Sequence, residues 1–481
     1  MPEENNPKGS PEGPHVAHTN ERSGISIVGM GYVGLATALC FAQAGHRVYG
    51  VDVDLEKCRT IQSGKSPIHE QGIDTALETC LRNGLFFCDS EIKEAVKNTD
   101  ITFLTVGTPS RQDGSIDLRY IESAATDVGE AINEKNSYHL VVVKSTVVPG
   151  TTSGLVKRAL ENSSRKNYPD DFGLCVNPEF LREGTALKDT MNADALIIGA
   201  EDKKSSDTLL GLYRSFYSKL PPTLVTGTAN AEFVKYSVNT FRATQLSFLN
   251  SLANLCEQIP SADIFEVTKG LSSVTKIDPR YLRAGIGYGG SCLPKDLRAL
   301  RATFYDNGIA PLILEAADEI NRRQPLRIIQ IIERLIGRNI KEKRIAILGL
   351  AFKAGTDDVR ESVAIALAES LVLAGARVDV YDPKAMKNAA TILLDKVTYS
   401  DSALACITDA DCCVVSTEWD EFGKIPAPEF RKRMKHPVVI DGRRIFDVTR
   451  FESEGIAIYQ IGRNSKNSTI SKTEPLFVSM G

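Results

Sequence analysis

"GISIVGMGYVGLATALCFAQAGHRVYGVDVD", residues 24–54, reads as an apolar strand, a glycine-rich turn, an apolar-periodic helix, an Ala-Gly break and a second strand that ends in an acid. Gly29, Gly31 and Gly34 fit G-x-G-x-x-G, and Asp52 follows Gly34 by 18 residues. The motif carries weight because strand, helix and acid fall where a dinucleotide site needs them. Gly29 permits the tight turn, Gly31 lets the backbone approach a pyrophosphate, and Gly34 lets helix close on strand, while the helix N-terminus attracts the anion. Asp52 would accept hydrogen bonds from the adenosine ribose hydroxyls and repel a 2′-phosphate, which selects NAD over NADP. The competing reading is a doubly wound domain that holds no nucleotide. Lys57 either lies by the same ribose or is a solvated helix lysine.

The same punctuation returns from residue 344 as "RIAILGLAFKAGTDDVRESVAIALAESLVLAGARVDVYDP". Gly375 precedes Asp382 by seven residues, as Gly45 precedes Asp52. This second turn lacks G-x-G-x-x-G and carries the polar insert FKAGTDDVRES. A different nucleotide ligand is expected there, with Lys353 and Arg360 available for phosphates. Arg360 can equally pair with Asp357, Asp358 or Glu361. Between the two patterns, "ANAEFVKYSVNTFRATQLSFLNSLANLCEQI" repeats apolar residues at i, i+3, i+4 and i+7 without proline. That spacing predicts one long helix, a spine between domains or a dimer surface. The expected fold is therefore α/β, two Rossmann-like doubly wound domains joined by a long central helix. The expected boundaries are 24–228 for the NAD-binding domain, 229–333 for the central helical domain and 334–463 for the second Rossmann-like domain, with a disordered tail over 1–23 and a flexible one over 464–481.

A chain of 481 residues, 42% hydrophobic, 25% charged and with a formal net charge of −4, is expected to form two or three ordinary globular domains. That balance implies no nucleic-acid or membrane partner. No apolar run reaches the roughly 18 to 20 residues of a membrane span, and the first residues lack a signal-peptide layout, which together point to the cytoplasm. The ten cysteines show neither CxxC pairs nor a disulfide rhythm, so most are expected to be small buried hydrophobes in a reducing compartment. The six histidines form no ligand spacing, and no metal is expected.

Cys292 stands apart, in "AGIGYGGSCLPKD", residues 284–296. Pro294 suits the first turn of a helix, so a helix is expected to start just after Ser291 or Cys292. A thiol at a helix N-terminus has its pKa lowered and its thiolate favoured. Asp296 lies one turn on, within reach of a water or of Lys235. The bare run GIGYGG leaves room for a substrate along the backbone, whose N–H groups can bind a sugar or diphosphate. The bland alternative is a buried cysteine after a glycine turn. On the long helix Lys235 and Asn239 share one face, one turn apart, and can converge on one ligand atom or simply face solvent. In the first domain, Ser145 and Thr146 in VVVKSTVVPG, and Glu179 and Glu183 in LCVNPEFLREGTALKD, fall at ends of expected strands, where open parallel sheets bind ligands. The two glutamates are either helix caps or candidates for a general base.

These segments resemble a known family. GMGYVG, TVGTPS (105–110), KSTVVPGT, NPEFLREGTA, the Lys235/Asn239 helix, GYGGSCLPKD, LGLAFKAGTDDVRES, YDPKAM, STEW (416–419) and DGRRIFD (441–447) are similar, in order and spacing, to the UDP-glucose/GDP-mannose dehydrogenase family. The resemblance runs over about residues 24–463. YDPKAM, TEW and DGRRIFD are most similar to members that act on UDP-glucose, while CLPKDLRAL also resembles members that act on GDP-mannose. The resemblance implies a twofold oxidation of a primary alcohol on a nucleotide sugar, with two NAD+ and no free aldehyde, by a homodimer or larger homo-oligomer. Cys292 would hold the aldehyde as a thiohemiacetal and then as a thioester that water hydrolyses. Lys235 and Asn239 would stabilise the oxyanion at C6. Asp296 would organise a water that Thr146 and Glu179 position or deprotonate. For the cofactor the resemblance implies Gly29, Gly31, Tyr32, Val33, Gly34, Asp52, Lys57, Thr108, Ser145, Thr146 and Glu183. Around the sugar nucleotide it implies Phe180, Leu181 and Arg182, then Tyr281, Arg283, Tyr288, Gly289, Lys353 and Arg443, with Lys235 and Asn239. Lys276 stands where the family often has an arginine from a partner subunit, and a lysine cannot offer that arginine's bidentate fork. NADAL (192–196) replaces a Pro-Asp-Arg run common in relatives.

The alternatives are the same chemistry on GDP-mannose or UDP-N-acetylmannosamine, a two-electron hydroxyacid-type dehydrogenase, and a catalytically silent nucleotide-sugar sensor. The two-electron enzyme needs neither Cys292 nor a second nucleotide fold.

Overall fold

The computed structural model describes residues 23–464. Apart from Ser23 and Asn464, both expected tails lie outside the described residues. Among the described residues the strands fall into two sheets. The first holds β1 (Ile25–Val28), β2 (Val48–Val51), β3 (Phe86–Asp89), β4 (Ile101–Leu104), β5 (His139–Val143), β6 (Phe172–Val176), β7 (Leu196–Ala200) and β8 (Thr223–Thr226). The second holds β9 (Arg344–Leu348), β10 (Arg377–Tyr381), β11 (Thr398–Tyr399), β12 (Cys412–Val415), β13 (Val438–Asp441) and β14 (Ala457–Gln460). Their orders are β3-β2-β1-β4-β5-β6-β7-β8 and β11-β10-β9-β12-β13-β14. The first six strands of each sheet share the doubly wound order, with a topological switch between β1 and β4 and between β9 and β12. All pairings are parallel except β6 with β7. HLVVV of β5, FGLCV of β6 and CCVV of β12 are buried at every residue, as parallel strands covered by helices on both faces must be.

The three glycines of the first turn do what their spacing predicts. Gly29 has φ +102, and a Cβ there would lie 2.9 Å from the Thr105 backbone. A Cβ on Gly34 would stand 1.8 Å from the Gly29 carbonyl, whereas one on Gly31 would meet nothing within 4 Å. Only the middle glycine faces open space, which is where a pyrophosphate needs the backbone bare.

The two halves repeat each other bond for bond. Gly29 N–H donates to Val51 O at 2.7 Å and Gly349 N–H to Tyr381 O at 2.8 Å. The next residue in each turn, Met30 or Leu350, donates its N–H to the acid that closes the second strand, Asp52 or Asp382, at 2.8 Å. The fates of the two acids differ. Asp382 is buried and saturated by the N–H groups of Leu350, Ala351, Lys384 and Ala385 and by the Trp419 indole. The copy that lacks the glycine fingerprint has thus turned its acid into a structural knot.

The long helix is Thr228–Cys256, 29 residues. Its buried face carries Glu232, Lys235, Asn239, Thr240, Ser247 and Asn250, while Phe241, Phe248 and Leu255 are 65%, 54% and 55% exposed. The buried face is mixed, since Ala231, Tyr236, Ala243, Leu249 and Ala253 are buried there too, while part of the apolar set is left exposed. Beyond it, the central helices share one core with the second sheet, in which Leu249, Ala253, Ile328 and Ile331 pack with Ile345, Ile347 and Ile440. Among the described residues no helix is long and apolar enough to cross a membrane.

One expectation is corrected here. The run GIGYGG does not lie open for a substrate. A Cβ on Gly289 would stand 2.2 Å from Glu361 O, and one on Gly290 would stand 2.8 Å from the Phe352 ring. Gly290 N–H donates to Arg360 O at 2.9 Å. These glycines are bare so that the second Rossmann-type unit can seat its polar insert directly on the irregular segment leading to Cys292.

Candidate functional site

Cys292 is the N-cap of helix Leu293–Asp306, with Pro294 in its first turn, as the sequence predicts. Of the ten cysteines it alone is exposed, and none is bridged. The expected low thiol pKa is not what the structure gives. Protein packed around the sulfur pushes its pKa up, Lys235 pulls it down, and Glu179 and Asp296 push it up further. The thiol is therefore reachable by solvent yet deep among protein atoms, and burial is the largest influence on it. Ser291 Oγ lies 3.5 Å from the sulfur.

Two polar pairs flank the thiol. Lys235 donates to Glu179 Oε1 at 2.8 Å and to Glu179 O at 2.6 Å. Asn239 donates to Asp296 Oδ2 at 2.5 Å. Lys235 is thus held by Glu179 and not by Asp296, whose second oxygen lies 2.7 Å from Lys295 Nζ. The reason is the strand end: Pro178 and Glu179 leave β6 toward the start of the long helix. Burial alone would lower the Lys235 pKa, but Glu179, Cys292 and Asp296 together hold it above the ordinary lysine range. The site keeps an ammonium ion beside a reachable thiol. Glu179 also accepts the Leu181 N–H at 2.8 Å, a local loop bond and not a helix cap, since the next helix, Ala186–Met191, is preceded by Thr185.

At the mouth of the first sheet, Thr108 Oγ1 donates to Thr146 O at 2.8 Å, and Ser145 Oγ donates to Val106 O at 2.7 Å. Glu232 accepts the N–H groups of Gly150 and Thr152, pinning the long helix to the loop that follows Thr146. Asp52 accepts the N–H groups of Met30 and Asp54 and the Lys57 ammonium, the last at 2.8 Å. Burial would raise its pKa, but these donors, Lys57 foremost, hold it below the usual carboxylate range. Lys57 is therefore at the acid that a ribose would meet. The turn fits NAD on three observations: the empty space above Gly31, the ionised Asp52, and the helix Tyr32–Gln43 starting at the turn. Asp52→Ala is expected to cut the preference for NAD over NADP by about one to two orders of magnitude, the worth of hydrogen bonds to a charged acceptor. Steady-state kinetics with each cofactor measures it, and an unchanged ratio removes Asp52 from the ribose.

Glu183 is where three segments meet. Its Oε1 accepts from Ser291 Oγ at 3.1 Å and lies 3.3 Å from Arg360 Nη2, while its carbonyl accepts from Lys353 Nζ at 2.5 Å. Burial and Asp358 push its carboxyl well above the usual range, against the pull of Arg360. Arg360 also forks onto Asp358, with contacts at 2.9 and 2.6 Å, so the local pairing the sequence allowed is realised. Tyr32 Oη donates to Asp357 at 3.3 Å from the opposite side.

Phe180, Leu181, Arg182 and Tyr281 line one cavity with Glu179 and Arg242. Arg182 forks onto Asp189, at 3.0 and 2.8 Å. Arg443 reaches Gly287 O at 3.4 Å from the second sheet. Lys276 and Arg283 are exposed, and Val33 is half-buried in the first helical turn. Tyr288 does not turn its ring to the cleft; it is buried with Tyr236, Leu297 and Leu314. Gly289 meets Glu361 and Phe352. Two neighbours escaped the sequence reading. Lys144, beside Ser145, is buried and donates to Asn177 Oδ1 at 2.9 Å; burial pushes its pKa down to about 8. Ser291 is the other, and its place directly before the thiol was the available signal. Among the described residues no group of three or more His, Cys, Asp or Glu could hold a metal ion.

Residues 23–217 match the NAD binding domain of the UDP-glucose/GDP-mannose dehydrogenase family, 229–323 its central domain and 346–448 its UDP binding domain. The chain is 41% identical to the UDP-glucose 6-dehydrogenase AglM of Haloferax volcanii over 89% of this chain and 98% of that one. It resembles the solved structure of a UDP-glucose dehydrogenase from Pyrobaculum islandicum, with a TM-score of 0.86 and 37% identity over 94% of this chain and 100% of that one. A UDP-D-ManNAc dehydrogenase from Pyrococcus horikoshii matches with a TM-score of 0.80 and 31% identity, over 91% of this chain and 99% of that one.

Proposed function

The chain belongs to the UDP-glucose/GDP-mannose dehydrogenase family and is an NAD-dependent dehydrogenase, and from that premise we propose that it oxidises UDP-glucose twice at C6 to give UDP-glucuronate. The observation that carries the reading is a solvent-reachable thiol, Cys292, beside an ammonium ion that Glu179 holds in place. When bound, NAD accepts one hydride in each oxidation. Lys235 and Asn239 stabilise the alkoxide that forms at C6. Cys292 then adds to the aldehyde carbon to give a thiohemiacetal, and the second oxidation leaves a thioester on the sulfur. Thr146, Glu179 and Asp296 direct the water that releases the acid. The main chain of Phe180 to Arg182, with Tyr281, Arg283, Lys353 and Arg443, holds the nucleotide sugar, and Glu183, Ser145 and Thr108 line the nicotinamide side. In this assignment the first sheet binds NAD, the second binds UDP, and the central helices carry the nucleophile.

The exposed stripe of Phe241, Phe248 and Leu255, seven residues apart along one helix, supports a homodimer built on the long helix, which would also bring Lys276 toward a partner's site. Unbridged cysteines throughout fit a reducing cytoplasm.

The deciding experiment counts NADH per sugar across UDP-glucose, GDP-mannose and UDP-N-acetylmannosamine. Two NADH per UDP-glucose, with the other sugars slower, is the expected result. One NADH per sugar returns the reading to a two-electron dehydrogenase, preference for another sugar changes the substrate, and no turnover leaves a sensor.

A further inference from the structure

Two consecutive arginines leave one turn in different directions. The turn is wound round Asp441, fully buried at the end of β13, which accepts the N–H groups of Arg443, Ile445 and Phe446 and the Gln460 amide. Arg443 goes to the cleft, donating to Ser416 O at 2.7 Å and Gly287 O at 3.4 Å. Arg444 has a left-handed backbone, φ +56, which a residue with a Cβ adopts only where its surroundings over-determine it. Its guanidinium forks onto Asp263 at 2.6 and 2.7 Å and lies 3.9 Å from the Phe265 ring centroid. The arginine side chain is 6% exposed. Asp263 at the same time caps helix Ile264–Thr275 by accepting the Phe265 N–H at 2.8 Å. That helix leads directly into Lys276, Tyr281 and Arg283.

We propose that Arg444 and Asp263 form a clamp that sets the position of Arg443 and of the 276–283 segment relative to each other, so that both meet the nucleotide sugar together. This rests on the reading of Arg443 as a substrate-binding residue. Arg444 and Asp263 are positioning residues and touch no substrate. A fork of two parallel charged hydrogen bonds under an aromatic face fixes orientation as well as distance, which a point charge such as lysine does not. The left-handed residue makes the arrangement all or none: with the fork in place residue 444 stays left-handed and Arg443 is aimed, and without it the turn has no reason to hold that conformation.

The test uses the full chain and four proteins: wild type, R443A, R444G and D263N. Glycine at 444 accepts the left-handed backbone but offers no fork, and asparagine at 263 keeps the helix cap but removes the charge. KM for UDP-glucose, KM for NAD, kcat and the thermal midpoint are measured for each. The expected result is a KM for UDP-glucose raised about tenfold in R444G and D263N and at least as much in R443A, with KM for NAD and kcat within about threefold of wild type. If R443A raises KM while R444G and D263N do not, the clamp is overturned and the reading of Arg443 stands. If R443A changes nothing, Arg443 is not at the substrate, and the clamp's role falls with it. Should R444G fail to fold, D263N decides. A lowered thermal midpoint with unchanged kinetic constants makes the pair a structural fastening only and overturns the proposal.

Discussion

Replacing Cys292 by serine is expected to leave nucleotide-sugar binding intact and to lower two-step turnover by about a thousandfold or more. Serine keeps the N-cap of helix Leu293–Asp306, so the fold has no reason to change. What is lost is the sulfur nucleophile, and with it the covalent hold on the half-oxidised sugar. Pre-steady-state mixing should then show at most one NADH per site, followed by arrest, and mass measurement of the wild type quenched in turnover should show the sugar attached to the peptide that contains Cys292. Continued two-NADH turnover in the serine variant would refute the assigned nucleophile. The pH dependence follows from the same environment. Because burial pushes the thiol pKa above its ordinary value, the thiolate fraction, and so alkylation by iodoacetamide, climbs with pH through the neutral range without reaching a plateau there. A plateau below neutral pH would restore the helix N-terminus as the dominant influence.

What was legible in the sequence is what backbone geometry demands locally. Gly29, Gly31 and Gly34 can be given separate tasks from the sequence because each task is a steric condition on one turn. Pro294 likewise marked the helix start that places Cys292. Contacts made across the chain were not legible. Lys235 and Glu179 stand 56 residues apart, and nothing on the helix face says which carboxylate it will meet. Arg360 and Glu183 are separated by 177 residues. The glycines before Cys292 were legible as a close approach but not as to what approaches, since bare backbone accommodates a sugar or another domain equally. The thiol pKa was misjudged for a related reason: the helix N-terminus is a local feature, whereas desolvation sums everything that the fold packs around the sulfur.

Removing the Lys235 ammonium is expected to lower kcat by about a hundred- to a thousandfold, the range seen when one charge-stabilising donor is taken from a transition state. The difficulty in reading such a variant is that Lys235 and Glu179 are a buried pair, 6% and 9% exposed, so Lys235→Met alone strands a carboxylate and should cost about 3 kcal/mol of stability as well. The double variant Lys235→Met with Glu179→Gln separates the two effects. With no charge left to strand, its thermal midpoint should return most of the way to wild type while turnover stays lost. Alkylation of Cys292 in Lys235→Met should shift to higher pH, because Lys235 is the neighbour that pulls the thiol pKa down, and losing a cation disfavours the thiolate. Recovery of activity together with stability in the double variant would make Lys235 a structural ion and leave the oxyanion without its stabiliser. Stability regained with turnover still well below that of Glu179→Gln alone, which carries the loss of the water-directing carboxylate, would place the ammonium in the chemistry itself.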